Sequence, residues 1–217
     1  PIQCPKADCN KFVSLFTFES HFKHEHKEIP IILTQLDARS ALEFYPRDVR
    51  YGRIQCIVLL NVINHDFSYI VPAGRSYSRT NVRSADARPV MLLLATRIAG
   101  EDLAKLEYEY NESDDSSGSD MDSAKTFIQN DILLLHDKIV IWMASNIPLN
   151  LSYTVAASTL SNKIRQKYFG PLLTLGDNPI DLWREGSGLI LTHFHINGMS
   201  ENGTKPLALD VVIHSPD

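Results

Sequence analysis

The chain has 217 residues, of which 44% are hydrophobic and 22% are charged, a composition typical of a folded globular protein. Its net charge of -5 argues against a duplex nucleic-acid binder, because such proteins neutralise phosphates with a surplus of lysine and arginine. No apolar run approaches the roughly 20 residues that a membrane-spanning helix needs, so we expect no membrane segment.

The first 27 residues contain a cluster of metal-binding residue types. Cys4 and Cys9 are followed by His21, His24 and His26. Zinc takes four nitrogen or sulfur ligands in a tetrahedron, and a thiolate pair on a loop facing histidines on a helix supplies them. The sequence therefore predicts a zinc finger with Cys4, Cys9 and His21 as ligands. We expect His26 as the fourth ligand and His24 in solvent, because only the His21–His26 spacing falls within the usual window of about three to five intervening residues.

The same segment contains residues that suit a small finger. Ser14 or Thr17 could cap the helix that carries the histidines. Apolar side chains at plausible positions would cover the metal, namely Phe12, Leu15 and Phe18.

The chain has three cysteines, fewer than a secreted disulfide framework uses. A metal site in a reducing compartment fits this count better, so we expect the cytoplasm or the nucleus. The remaining Cys56 lies in an apolar run, which predicts a small core residue whose pKa is raised by burial.

After the finger, the apolar runs predict a mainly β structure. Many of them are rich in β-branched residues or alternate with period two. About eight or nine strands at this spacing are typical of a β-sandwich. Thr159–Tyr168 is the best helix candidate. The predicted strands are Ile54–Ile63, Phe67–Val71, Val90–Ile98, Leu103–Tyr110, Ile139–Ala144, Ser152–Ala156, Leu189–His195 and Leu207–Ile213.

Residues 111–124 form an acidic, serine-rich stretch with almost nothing to bury. Too few apolar groups are present to offset the entropy of ordering, so residues 112–124 are predicted to be a disordered loop inserted in one sandwich. Ser117 and Ser119 each have an aspartate three residues later, which makes them candidates for an acid-directed kinase.

One basic concentration precedes this stretch, formed by Arg75, Arg79, Arg83 and Arg88. Two interpretations remain open. The arginines are either part of a solvated loop, or a patch for an acidic partner peptide or for the chain's own acidic loop.

The sharpest catalytic candidate is the pair His193 and His195, followed by Glu201. On a strand the two histidines would face the same way and could hold a metal, as in a cupin-like metal enzyme. The alternative is two polar residues on the exposed face of an edge strand. Phosphate loops, nucleophile elbows and metalloprotease motifs do not occur, so we expect no enzyme activity from this chain.

The segments Cys4-Pro-Lys-Ala-Asp-Cys9 and His21-Phe-Lys-His24-Glu-His26-Lys-Glu-Ile29 resemble the last zinc finger of the seven-in-absentia (SINA) ubiquitin ligases. The similarity is tight over residues 4–29 and loose over 90–145. It implies a finger that leads directly into a TRAF-like antiparallel β-sandwich, which binds substrates and adaptors and dimerises.

The expected organisation is a Cys2His2-type zinc finger at 1–29 and a TRAF-like β-sandwich at 30–217. The expected function is an adaptor that binds partner peptides along a strand edge, with Lys138–Ser145 as the candidate edge. Such a module could be the substrate-recognition part of a ubiquitin-ligase-like protein. The RING of that family would have to lie upstream, since three cysteines cannot supply its ligands. The alternative is a nucleic-acid-binding finger protein, although a lone finger reads only about three base pairs.

Overall fold

A computed structural model describes residues 1–6, 8–63, 89–100, 137–161 and 163–216. It is mainly β, as predicted, with three separate sheets. Several sequence predictions fall outside these residues and stay untested. They are the strands Phe67–Val71 and Leu103–Tyr110, the loop 112–124 with Ser117 and Ser119, and the four arginines Arg75, Arg79, Arg83 and Arg88.

The N-terminal segment folds as a small finger. Strands β1 (Ile2–Gln3) and β2 (Phe12–Val13) pair antiparallel, and a short 3-10 turn leads into helix α1 (Phe18–Glu25). Ser14 caps the 3-10 turn by accepting a hydrogen bond from the Phe16 N–H. Thr17 precedes α1 without a side-chain cap, so of the two predicted caps only Ser14 is used.

Six strands form the larger sheet, namely β3 (Ile31–Thr34), β5 (Gln55–Val62), β6 (Met91–Ile98), β7 (Lys138–Ser145), β10 (Leu173–Thr174) and β11 (Leu189–Thr192). The central strand β7 pairs with β6 along one edge and with β10 and β11 along the other. Strands β6, β5 and β3 follow in that order.

Four antiparallel strands form the second sheet in the order β4-β12-β8-β9. Their ranges are β4 (Arg39–Phe44), β8 (Ser152–Ser158), β9 (Arg165–Pro171) and β12 (Leu207–His214). Two further helices, α2 (Pro179–Glu185) and α3 (His193–Ser200), flank β11 in the sequence.

Alternate side chains of the two sheets meet in one buried core, so the sheets face each other. Successive strand residues point to opposite faces, and the inward residues of β8 and β12 are all apolar. This core includes Val58 and Leu60 of β5, Ile139 and Ile141 of β7, and the alternating residues of β8 and β12. The six-stranded sheet is mixed, because β3 pairs parallel with β5 and β10 pairs parallel with β7, so the predicted antiparallel pairing holds only in part.

The other face of the six-stranded sheet is covered by the finger. Leu92, Trp142 and Ala144 on that face share a second buried cluster with Phe18 and Phe22 of the finger. Strands β6 and β7 are therefore apolar on both faces, which explains why they read as continuous apolar runs.

One ion pair is buried beside this sheet. Arg97 lies 3.5 Å from Asp137, and its guanidinium also stacks 4.4 Å from the centre of the Tyr51 ring. The Tyr51 hydroxyl donates to the Asp137 carboxylate. A buried charge is costly unless it is paired or hydrogen-bonded. The contacts among these three side chains therefore hold the end of β6 against the start of β7.

Five of the predicted strands are confirmed with small shifts in their ends, namely β5, β6, β7, β8 and β12. Three predictions are wrong. Thr159–Tyr168 is not a helix, because β9 begins at Arg165 and pairs with β8. The strand Leu189–His195 ends at Thr192, where α3 starts. Lys138–Ser145 is not an edge, because β7 has neighbours on both sides.

Candidate functional site

The cysteine loop is held in a tight turn between β1 and β2. The Cys4 N–H donates to the Lys11 carbonyl at 2.9 Å, and the Cys9 N–H donates to the Lys6 carbonyl at 2.9 Å. Helix α1 carries His21 on its inner side. His26 follows the helix as its C-terminal cap, with its N–H bonded to the Phe22 carbonyl at 3.0 Å. Loop and helix end therefore face each other.

This arrangement brings together the four side chains that the spacing predicted. The ligand atoms of Cys4, Cys9, His21 and His26 all lie within 4.8 Å of one another. Cys4 Sγ is 3.3 Å from His26 Nε2, and Cys9 Sγ is 3.6 Å from His21 Nε2. Tetrahedral zinc with ordinary bond lengths separates sulfur and nitrogen ligands by about 3.5 Å, so the group could hold a metal ion such as zinc. His24 is exposed and outside the group.

The two histidines of the group are already in the protonation state that binds a metal, whereas the buried Cys4 thiol is protonated at pH 7. Burial raises the pKa of the Cys4 thiol to about 11, with the Cys9 thiol adding to the shift. Burial lowers the pKa of His21 and of His26, so both imidazoles are neutral at pH 7. A cation that enters must displace thiol protons, and this couples its binding to pH.

Ring packing orients the histidines. The His26 ring lies edge-on to His21 at 4.8 Å and to Phe22 at 5.2 Å. Metal-binding histidines usually donate their second ring nitrogen to an acceptor. His26 Nδ1 is buried and has no such acceptor among the described residues, so the aromatic neighbours set its orientation instead.

The strand geometry behind the cupin-like alternative is absent. His193 and His195 lie in the first turn of α3 rather than on one face of a strand. His195 Nδ1 accepts from the Thr192 N–H at 3.3 Å, and His193 Nε2 lies 2.6 Å from Asn197 Nδ2. Both histidines therefore serve the helix start. Across the described ranges, the finger cluster is the only group of three or more potential ligands.

Cys56 matches its prediction in part. It is half-buried on β5, and burial raises the pKa of its thiol. The side chain lines a cleft of about 450 Å³ between the finger and β5. Two ion pairs lie on the wall of this cleft, Arg53 with Asp8 at 2.6 Å and Lys6 with Glu28.

A second surface was missed at the sequence level. Strand β9 ends the four-stranded sheet and, among the described residues, pairs only with β8. Its exposed face carries Arg165, Lys167 and Phe169. The available signal was the placement of charge at every second residue from Lys163 to Lys167, which is a strand period rather than a helix period.

No helix in the described part of the chain has both the length and the apolar character needed to cross a bilayer.

Fold and cluster together define a mainly β protein with an N-terminal Cys2His2 group suited to a metal ion. The chain belongs to the family described as Domain of unknown function (DUF4729), whose model matches residues 3–169. That match runs from the cysteine loop into β9. No curated protein matches the chain.

Proposed function

We propose that Cys4, Cys9, His21 and His26 hold one structural zinc ion. All four positions of a tetrahedron are filled by protein ligands, and a closed site of this kind stabilises a fold rather than activating water. Two thiolates and two imidazoles are a donor set that zinc favours.

Elemental analysis of the purified chain tests this proposal. We expect one zinc per chain, lost in Cys9→Ser and retained in His24→Ala, which removes a neighbouring exposed histidine. A Cys9→Ser protein that keeps a full equivalent of zinc would rule out the assignment. Retention of another metal in place of zinc would overturn the choice of ion.

We further propose that the chain is a protein-interaction module with a TRAF-like β-sandwich, and that it takes up an extended partner segment on the free edge of β9. The observation that carries this proposal is the set of backbone groups at that edge. A sheet edge offers unpaired N–H and C=O groups, and an added strand satisfies them.

The hydrogen-bond register identifies those groups. The Leu172 N–H bonds to the Leu151 carbonyl at 2.8 Å, and the Thr159 N–H bonds to the Ile164 carbonyl at 3.0 Å. In an antiparallel pair, alternate residues bond to the partner strand and the others face away. Even-numbered residues of β9 therefore bond to β8, and the N–H and C=O groups of Arg165, Lys167 and Phe169 face the free edge.

Pro171 supports this register. Like Lys167, it is an odd-numbered residue of β9, so its backbone nitrogen faces away from β8, where no N–H is needed for pairing with β8. Proline in a sheet is tolerated where the ladder does not need its N–H.

Charge favours a protein partner over nucleic acid. Residues 1–29 contain four lysines and four acidic residues, so the finger has no surplus of positive charge to neutralise phosphates. An adaptor, or the substrate-recognition part of a ubiquitin-ligase-like protein, would use such a module to capture partners.

A displayed library of random linear peptides tests edge binding. We expect enriched peptides whose binding is lost in Lys167→Pro, because this change removes one N–H from the free edge and none from the β8–β9 ladder. Lys205→Ala, which removes an exposed lysine outside β9, is the control. Circular dichroism checks that each variant folds. Peptides that bind Lys167→Pro as tightly as the parent would refute this mode.

A further inference from the structure

Strand β9 and the residues just before it form a second basic concentration in a chain whose net charge is negative. Lys163, Arg165 and Lys167 fall within five residues, and no aspartate or glutamate occurs from residue 138 to residue 176. The chain as a whole has a net charge of -5. Positive charge is therefore concentrated at the same edge that has no partner strand among the described residues.

Only part of this charge is neutralised within the sheet. Asp210 on β12 is nearly buried and accepts Arg39 at 2.7 Å and Arg165 at 3.5 Å. Lys163 and Lys167 are exposed and form no ion pair with any described residue. One carboxylate thus serves two arginines, and the two lysines have no acidic partner within the described ranges.

Edge lysines can have a purely protective role, because they discourage strand-to-strand aggregation. The apolar neighbours of this edge argue against protection as the only role. Phe169 on β9 is 64% exposed and Phe194 on α3 is 82% exposed. Ile164 is also exposed, and its Cδ1 is 4.0 Å from where a Cβ on Gly198 would lie, on the α3 face that carries Phe194 one turn earlier.

We propose that the partner segment is an extended peptide in which acidic and apolar residues alternate. This inference rests on the proposed strand addition at β9. In the added strand, every second side chain would lie on the outer face with Arg165, Lys167 and Phe169, where carboxylates are favoured beside the two cations and an apolar side chain is favoured beside Phe169. The intervening side chains would turn toward Tyr168, Ile164 and Phe194, where apolar groups are favoured.

Two capped synthetic decapeptides provide the probes. One alternates glutamate with valine, and the other alternates lysine with valine. Fluorescence anisotropy at low salt should show binding of the glutamate peptide at least tenfold tighter than the lysine peptide. Raising the salt from about 50 to 300 mM should weaken the glutamate peptide, because exposed charge pairs are screened.

A charge exchange gives the sharper comparison. Lys167→Glu should weaken the glutamate peptide about tenfold and strengthen the lysine peptide, since one attractive pair becomes a repulsive one. Lys27→Glu, an equal charge change on the finger, should leave both affinities nearly unchanged.

The two proposals fail differently. If both peptides bind equally well and both are lost in Lys167→Pro, the acidic partner is wrong and the edge proposal stands. If the glutamate peptide binds equally well to the parent, Lys167→Pro and Lys167→Glu, both are wrong.

Discussion

Replacing Phe22 with alanine should destabilise the whole chain rather than the finger alone. Phe22 is 1% exposed, and its ring lies 5.3 Å from Phe18 and 5.2 Å from His26. It belongs to the same buried cluster as Trp142 of the six-stranded sheet. The change therefore removes a ring that supports a proposed metal ligand and also packs within the layer between finger and sheet.

Removing a fully buried phenylalanine side chain costs about 3–5 kcal/mol, through lost burial and the cavity that remains. For a chain of this size the midpoint of thermal unfolding falls roughly 2–4 °C per kcal/mol, which gives a decrease of about 6–20 °C. Phe12→Ala is the matched control. Phe12 lies in the same finger but is 70% exposed, so its loss should change stability by less than about 0.5 kcal/mol.

The chain offers a natural probe for this experiment. Its two tryptophans are Trp142, inside the shared cluster, and Trp183, packed against it. Guanidinium unfolding followed by tryptophan fluorescence and by far-UV circular dichroism should give coincident transitions, both shifted in Phe22→Ala. The reasoning would be refuted if Phe22→Ala were as stable as Phe12→Ala, or if the finger lost its structure while the tryptophan signal stayed native.

Three further results are expected. Asp137→Ala should cost about 3–5 kcal/mol in chemical denaturation by leaving a guanidinium buried, whereas Asp181→Ala, at an exposed ion pair, should cost less than about 1 kcal/mol; equal losses would contradict the buried pair. Hydrogen bonds from Ser215, together with His214, hold the pKa of Asp37 below its usual value in the folded chain. Ionised Asp37 therefore contributes to the free energy of unfolding fully above about pH 4, and the contribution is lost as the pH falls through the lowered pKa of the folded state. Asp37→Asn should therefore flatten the acid side of the stability–pH curve, and an unchanged curve would count against the contact. Deleting residues 112–124 should leave the melting temperature within a few degrees, because their composition offers little to bury, and a large decrease would show that they pack on the rest of the chain.

The Cys2His2 group could be predicted because the residues that form it are close in sequence. Ligand types and spacings within residues 4–26 specify which side chains converge, and the short loop and helix leave few alternatives. The choice of His26 over His24 followed from spacing in the same way. The long apolar strands could also be predicted, since period-two alternation and β-branched residues indicate strands.

The free edge could not be predicted, because strand order is a non-local property. Thr159–Tyr168 contains good helix formers such as Leu160 and Lys163, and pairing with β8 overrides that preference. Lys138–Ser145 resembled an exposed edge only because the sequence does not reveal that β10 and β11 cover it. At Thr192 the strand pattern continued into His195, and the side-chain cap that starts α3 was overlooked.

The cluster shared by finger and sheet bears on how this protein can be dissected. A truncation after residue 29 ends just before β3, and the sequence alone suggests that it separates the finger from an independent second domain. It would also expose Leu92, Trp142 and Ala144 to solvent, leaving a large apolar surface on the larger fragment. Truncations that delete the finger would then behave as insoluble or chaperone-bound species. A binding activity lost in such a fragment should not be mapped to the finger, whereas a point change at the exposed Lys167 leaves the finger in place on the sheet.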